Sequence, residues 1–100
     1  MIVKQHKTAD GRIVLAVCDS ELIGKKFVEG DLQLDLSSDF YKGEEMDEKR
    51  ILELFKVVPI VNLVGKKAVG LGIKVGIIDK DRVIKIKGIP HAEAVIIRGD

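Results

Sequence analysis

"NLVGKKAVGLGIKVGIID", residues 62–79, can be read in two ways, and the choice between them decides the fold. As a helix, it carries Val64, Ala68, Leu71 and Val75 on one stripe, with Asn62 as the N-cap and Gly76 near the carboxyl end. As a strand, Val69, Leu71, Ile73, Val75 and Ile77 alternate with small or polar residues. Internal Gly70 and Gly72 each weigh against a helix by about 1 kcal/mol. The capped stripe is the better match, and the stretch is expected to be helical.

The segments on either side supply the rest of the architecture. Upstream, "SSDFYKGEEMDEKRILELFKVVP" sets Ile51, Leu54, Phe55 and Val58 at helical spacing. Glu44, Glu45, Asp47 and Glu48 crowd its amino end, where the helix dipole favours anions, and Pro59 stops it. Before that, "IVKQHK" and "RIVLAVC" flank the turn signal Asp10-Gly11 and predict an antiparallel hairpin. "DSELIG" predicts a short turn capped by Asp19 or Ser20 and ending at Gly24, and "DLQLDLS" a strand with one wet face. Downstream, "VIKIK" and "AEAVIIR" predict two more strands, joined through a Pro90-His91 turn. Strands, then helices, then strands predict a single α+β domain over residues 1–100, with a mixed or antiparallel sheet of about four to five strands and two main helices.

Composition narrows the functional classes. One hundred residues suffice for one core. A third of them are charged, amides are few and aromatics amount to Phe27, Phe40, Tyr41 and Phe55, a profile expected of a protein from a hot-growing organism. The lone Cys18 excludes an internal disulfide and a cysteine-rich zinc site, and its apolar setting predicts a buried structural thiol. No apolar run approaches membrane-spanning length and the start has no apolar leader core, so a cytoplasmic protein is expected.

The motifs that suggest cofactors fail on spacing. "GLGIKVG" places its third glycine one residue late for a dinucleotide fingerprint, and "VGKKA" lacks both the upstream glycine and the hydroxyl of a phosphate-binding loop. His6 and His91 are far apart, so no metal ligand set is visible, and no cofactor is expected. No nucleophile, base and orienting group can be assembled into a catalytic set.

Charge is the stronger signal. Residues 19–48 hold ten acidic and three basic side chains, a net of −7, whereas residues 49–100 hold eleven basic and five acidic ones, a net of +6. Lys66, Lys67, Lys74, Lys80, Arg82, Lys85 and Lys87 are opposed in their stretch only by Asp79 and Asp81, and Lys85 and Lys87 share one strand face. Such a face suits phosphates. The lysine-rich stretch 66–87 has no aromatic residue for base stacking, so shape and backbone contacts should dominate any RNA binding.

Taken in order, "DSELIGKKFVEG" (19–30), "FYKG" (40–43), "NLVGKKAV" (62–69) and "GIPHA" (88–92) resemble an archaeal family of about this length known as a domain of unknown function. The resemblance covers nearly the whole chain. It implies a small α+β archaeal protein with no established activity, so no catalytic residue carries over. It matches Gly24, Lys25, Phe27, Glu29 and Gly30 in the first block, and Phe40, Tyr41 and Gly43 in the second. Asn62 and Gly65 match in the third, and Gly88, Pro90 and His91 in the last.

Three functions follow as expectations. The leading one is a non-enzymatic binding module in translation or RNA-associated assembly, without recognition of DNA sequence. It would use Lys66, Lys67, Lys74, Lys85 and Lys87 for phosphates and a recognition surface of Lys25, Glu29, Tyr41, Pro90 and His91. The second is a protein–protein adaptor docking through Glu44, Glu45 and Glu48. The third is a small enzyme using His91 as acid or base with Glu29 or Glu93 as its orienter.

Overall fold

The computed structural model describes residues 1–98. Strands β1 (Ile2–Lys7) and β2 (Ile13–Cys18) form the expected hairpin. A 3₁₀ turn (Ser20–Leu22) leads to a second hairpin, β3 (Lys26–Glu29) and β4 (Leu32–Asp35). Another 3₁₀ turn (Asp39–Tyr41), the two-residue β5 (Glu44–Glu45) and helix α1 (Glu48–Phe55) follow. Then come β6 (Ile60–Val64), helix α2 (Lys66–Lys74), a third 3₁₀ turn (Lys80–Arg82), β7 (Ile84–Ile86) and β8 (Ile89–Val95). The main sheet runs β5-β1-β2-β6-β8-β7 and is antiparallel except at its centre, where β2 and β6 lie parallel.

The α+β class and the two helices match the sequence reading, while the sheet has six strands, with β3–β4 as a separate pair, rather than four or five. The strands missed are β3, β5 and β6. β6 was hidden because Pro59 reads as a stop and Asn62 as a helix cap, although Asn62 lies inside the strand. Of the acidic cluster, Glu48 is in the first turn of α1 and Asp47 caps it, accepting from the Arg50 N–H at 2.9 Å; Glu44 and Glu45 belong to β5.

Alternation along the two parallel strands builds two cores. Leu15 and Val17 of β2 and Val61 and Leu63 of β6 meet Ile51, Leu54 and Phe55 of α1 and Ala68, Val69 and Leu71 of α2. Ala16, Cys18 and Val64 face the other way, against Leu22, Leu34, Leu36 and Tyr41 from the 20–41 segment. Both faces of these strands are therefore covered, as apolar parallel strands require.

Within α2 the buried positions are Ala68, Val69, Leu71 and Gly72, a helical face, while Ile73 and Val75 are exposed, which removes the strand alternative. Its two glycines differ. At Gly72 a Cβ would lie 2.7 Å from both Leu63 and Ile78, so the helix sits against the sheet at a distance only glycine permits. At Gly70 a Cβ would meet nothing within 4 Å, so its helix cost of about 1 kcal/mol relative to alanine is matched by no packing gain.

Candidate functional site

The Pro90-His91 turn does not exist. The chain reverses at Lys87-Gly88, both at positive φ (53° and 77°), as a two-residue hairpin requires, and Pro90 and His91 lie within β8. Pro90 sits where β6 ends. Its carbonyl accepts from the Gly65 N–H at 2.9 Å, while the Gly65 carbonyl accepts from Val69 in α2, so the N–H that proline lacks has no vacant partner there.

Placing His91 in a strand puts it on the same sheet face as Asn62 and Glu93, since Val64 lies opposite His91 and Asn62 opposite Glu93. From above that face, the Asp39–Tyr41 turn lowers the Tyr41 hydroxyl to 3.2 Å from Asn62 Oδ1. The His91 Nε2 lies 3.1 Å from the same oxygen, and Asn62 Nδ2 donates to Glu93 Oε1 at 3.1 Å. Glu93 fixes the amide orientation, because only Nδ2 can donate to a carboxylate. Asn62 Oδ1 therefore accepts twice, from the Tyr41 O–H and from an Nε2–H of His91, leaving Nδ1 as the acceptor nitrogen of the neutral ring.

The turn that carries Tyr41 is anchored by β1. Lys4 Nζ donates to the Asp39 carbonyl at 2.6 Å and His6 Nε2 to the Phe40 carbonyl at 2.7 Å. The His6 and Phe40 rings stack with centroids 4.0 Å apart, which holds Phe40 half-buried.

This network orients groups but contains no ready nucleophile. Burial pushes the Tyr41 pKa up to about 12 and that of Cys18 likewise up to about 12, with the neighbouring Asp19 adding to the rise at Cys18. Cys18 is the buried thiol expected from its setting. Burial lowers the pKa of His91, against an opposing pull from Glu93, whose Oε1 is 3.7 Å away. The folded pKa thus lies below the ordinary 6.5, and between the two values the unfolded chain binds the extra proton. Stability is expected to rise with pH through that window and to be lost as pH falls through it. Urea denaturation at about pH 5 and pH 7 should show the slope, and His91→Gln should reduce it.

The other expected recognition residues do not join this network. Glu29 accepts the backbone N–H of Lys87 at 2.6 Å and so ties the β3–β4 hairpin to the β7–β8 turn; Glu93, not Glu29, stands beside His91. Lys25 is exposed at the base of the hairpin, its backbone bonded to Leu22 and Leu36, and Pro90 is buried. Of the acidic trio, Glu45 pairs with the terminal amine at 3.0 Å and Glu48 with Lys74 at 3.9 Å.

The lysines gather elsewhere, around α2. Lys66, Lys80 and Lys85 rim a groove of about 310 Å³ floored by Val69, Ile73 and Val83. On the opposite flank of the helix, Lys66, Lys67 and Lys74 line a second groove of similar size, together with Glu48. Among the described residues, Lys74 alone of these five lysines has a carboxylate within 4 Å. Lys87 stands apart, at the turn held by Glu29. Two residues that organise these regions were given other roles by the sequence. Asn62 reads as a helix cap, although a lone polar side chain within the apolar run "IVNLV" marks it as a strand residue; Asp19 reads as the cap of the nearer turn.

The described residues contain no group of three or more His, Cys, Asp or Glu side chains placed to hold a metal ion, and no helix long and apolar enough to cross a membrane.

Fold and site together define a small α+β domain with a mixed six-stranded sheet, two helices on one face and a hairpin on the other. The family model described as "Protein of unknown function (DUF424)" matches residues 6–97, and the chain belongs to that family. The chain is also similar to a solved structure, an uncharacterized conserved protein from Methanopyrus kandleri, at 26% identity and a TM-score of 0.78, over 99% of this chain and 93% of that one. A comparison with curated proteins gave no match.

Proposed function

We propose that the protein is a non-enzymatic binding module for RNA, acting in translation or RNA-associated assembly. The observation that carries this reading is the surface of α2 and its surroundings, where Lys66, Lys67, Lys80 and Lys85 stand exposed without a carboxylate partner among the described residues. Amines free of ion pairs on a fixed scaffold raise the local potential and attract a polyanion, and each phosphate neutralised releases counterions. Membership of a family of unknown function is compatible with such a role. Tyr41 and His91 lie on the other sheet face, Tyr41 buried in its core, and take no part in phosphate binding.

Fluorescence anisotropy with a labelled RNA tests the reading. Engagement of four phosphates is expected to weaken affinity by about 100-fold between 50 and 200 mM salt. Lys66→Glu, Lys80→Glu and Lys85→Glu combined should abolish binding while the circular dichroism spectrum stays unchanged. Affinity that does not respond to salt, or survives this charge reversal, would overturn the proposal.

A further inference from the structure

The two lysine-lined grooves are not independent. Lys66 and Gly70 line both of them, so the outer edge of α2 is a ridge with a lysine-lined channel on each side, Glu48 beside Lys74 being the one carboxylate that lines either. The crest of that ridge is unusual. One turn separates Lys66 from Gly70 and another separates Gly70 from Lys74, and between the two long amines the helix presents bare backbone. The packing does not require this glycine, since a Cβ at residue 70 would point into open space. A residue that weakens its helix, fills no packing role and stands at the centre of the cationic surface is explained by something that approaches the helix closely there.

The shape of the surface selects among polyanions. A ridge flanked by two lysine-lined channels complements a shallow groove bordered by two phosphate strands, which is the minor-groove side of an A-form duplex. A single strand would track one channel and would gain from exposed aromatic rings, to stack its bases. The four aromatics of this chain are placed otherwise. Phe55 is buried on the inner face of α1, Tyr41 is buried in the core on the opposite face of the sheet, and Phe27 and Phe40 pack half-buried against that core.

We infer that α2 docks into the minor groove of double-helical RNA, with Gly70 as the point of closest approach and Lys66, Lys67, Lys74, Lys80 and Lys85 on the two bordering strands. This rests on the RNA-binding reading above and specifies its substrate class and contact residue.

The test pairs stability with affinity in Gly70→Ala and Gly70→Leu, using an RNA duplex of about 20 base pairs and a single strand of the same length. Both variants should fold and melt several degrees higher than the parent chain, because each is a better helix former in open space. Duplex affinity should nevertheless fall, modestly for alanine and by about 10-fold or more for leucine, with the salt dependence kept because the lysines are untouched. The parent chain should prefer the duplex. Unchanged duplex affinity in Gly70→Leu, or equal or tighter binding of the single strand, overturns the inference and leaves RNA binding standing. Failure of the parent chain to bind either RNA removes both.

Discussion

Asp19→Ala is expected to destabilise the protein by about 3 kcal/mol and to lower Tm by about 15 °C, the largest loss from a single side-chain truncation outside the apolar core. Asp19 is 2% exposed, yet neither Lys nor Arg pairs with it among the described residues. Its carboxylate instead accepts the N–H groups of Lys67 at 3.0 Å and Ala68 at 2.8 Å, the first turn of a helix nearly fifty residues away in sequence. A helix leaves its first N–H groups without intrahelical partners, and in a buried setting water cannot supply them. Alanine therefore orphans two donors and removes a negative charge from the positive end of the helix dipole. Thermal or urea unfolding measures the loss. A change below about 1 kcal/mol would mean that the amino end of α2 is satisfied in some other way.

Gly65→Ala should be comparably severe, for a linked reason. Gly65 joins β6 to α2 at φ 105° and ψ 162°, a region closed to side-chain-bearing residues at about 1–3 kcal/mol, and a Cβ there would overlap the Asp19 carboxyl group. A total of at least about 3 kcal/mol is expected. The two substitutions should not add. In an Asp19→Ala background the carboxyl overlap vanishes, the Asp19 Cβ remains 2.7 Å from the new methyl, and the backbone penalty persists. Gly65→Ala should then cost about 1–2 kcal/mol less than in the parent chain. Additivity across the four-variant cycle would contradict the close contact between residues 19 and 65.

These residues also mark the limit of what local pattern could reveal. The β1–β2 hairpin was legible because Asp10-Gly11 and its flanking strands lie side by side in sequence, and α1 because Ile51, Leu54 and Phe55 repeat at its own period. α2 was legible as a helix, though its cap was assigned to Asn62. The true cap, Asp19, is a neighbour only in space, and in sequence it reads as the start of the nearer turn Ser20–Leu22, where its side chain makes no capping bond. The same holds for the polar network. Tyr41, Asn62 and Glu93 come from three separate segments, and only the register of β6 against β8 shows that His91 faces them. Propensity and periodicity act over a few residues; tertiary hydrogen bonds carry no such local imprint.

The parallel pairing of β2 with β6 has a kinetic consequence. The β1–β2 hairpin and the β6-α2-β7-β8 unit are each made of contacts close in sequence and can organise separately. They are joined by one parallel ladder, whose two strands are separated in sequence by the segment 19–59, so that pairing them closes a long loop. That closure, with Asp19 docking onto α2 at the same seam, is expected to be the late and entropically demanding event in assembling the chain. A substitution at the seam should slow the approach to the native state, whereas one in the outer hairpin should chiefly hasten its departure.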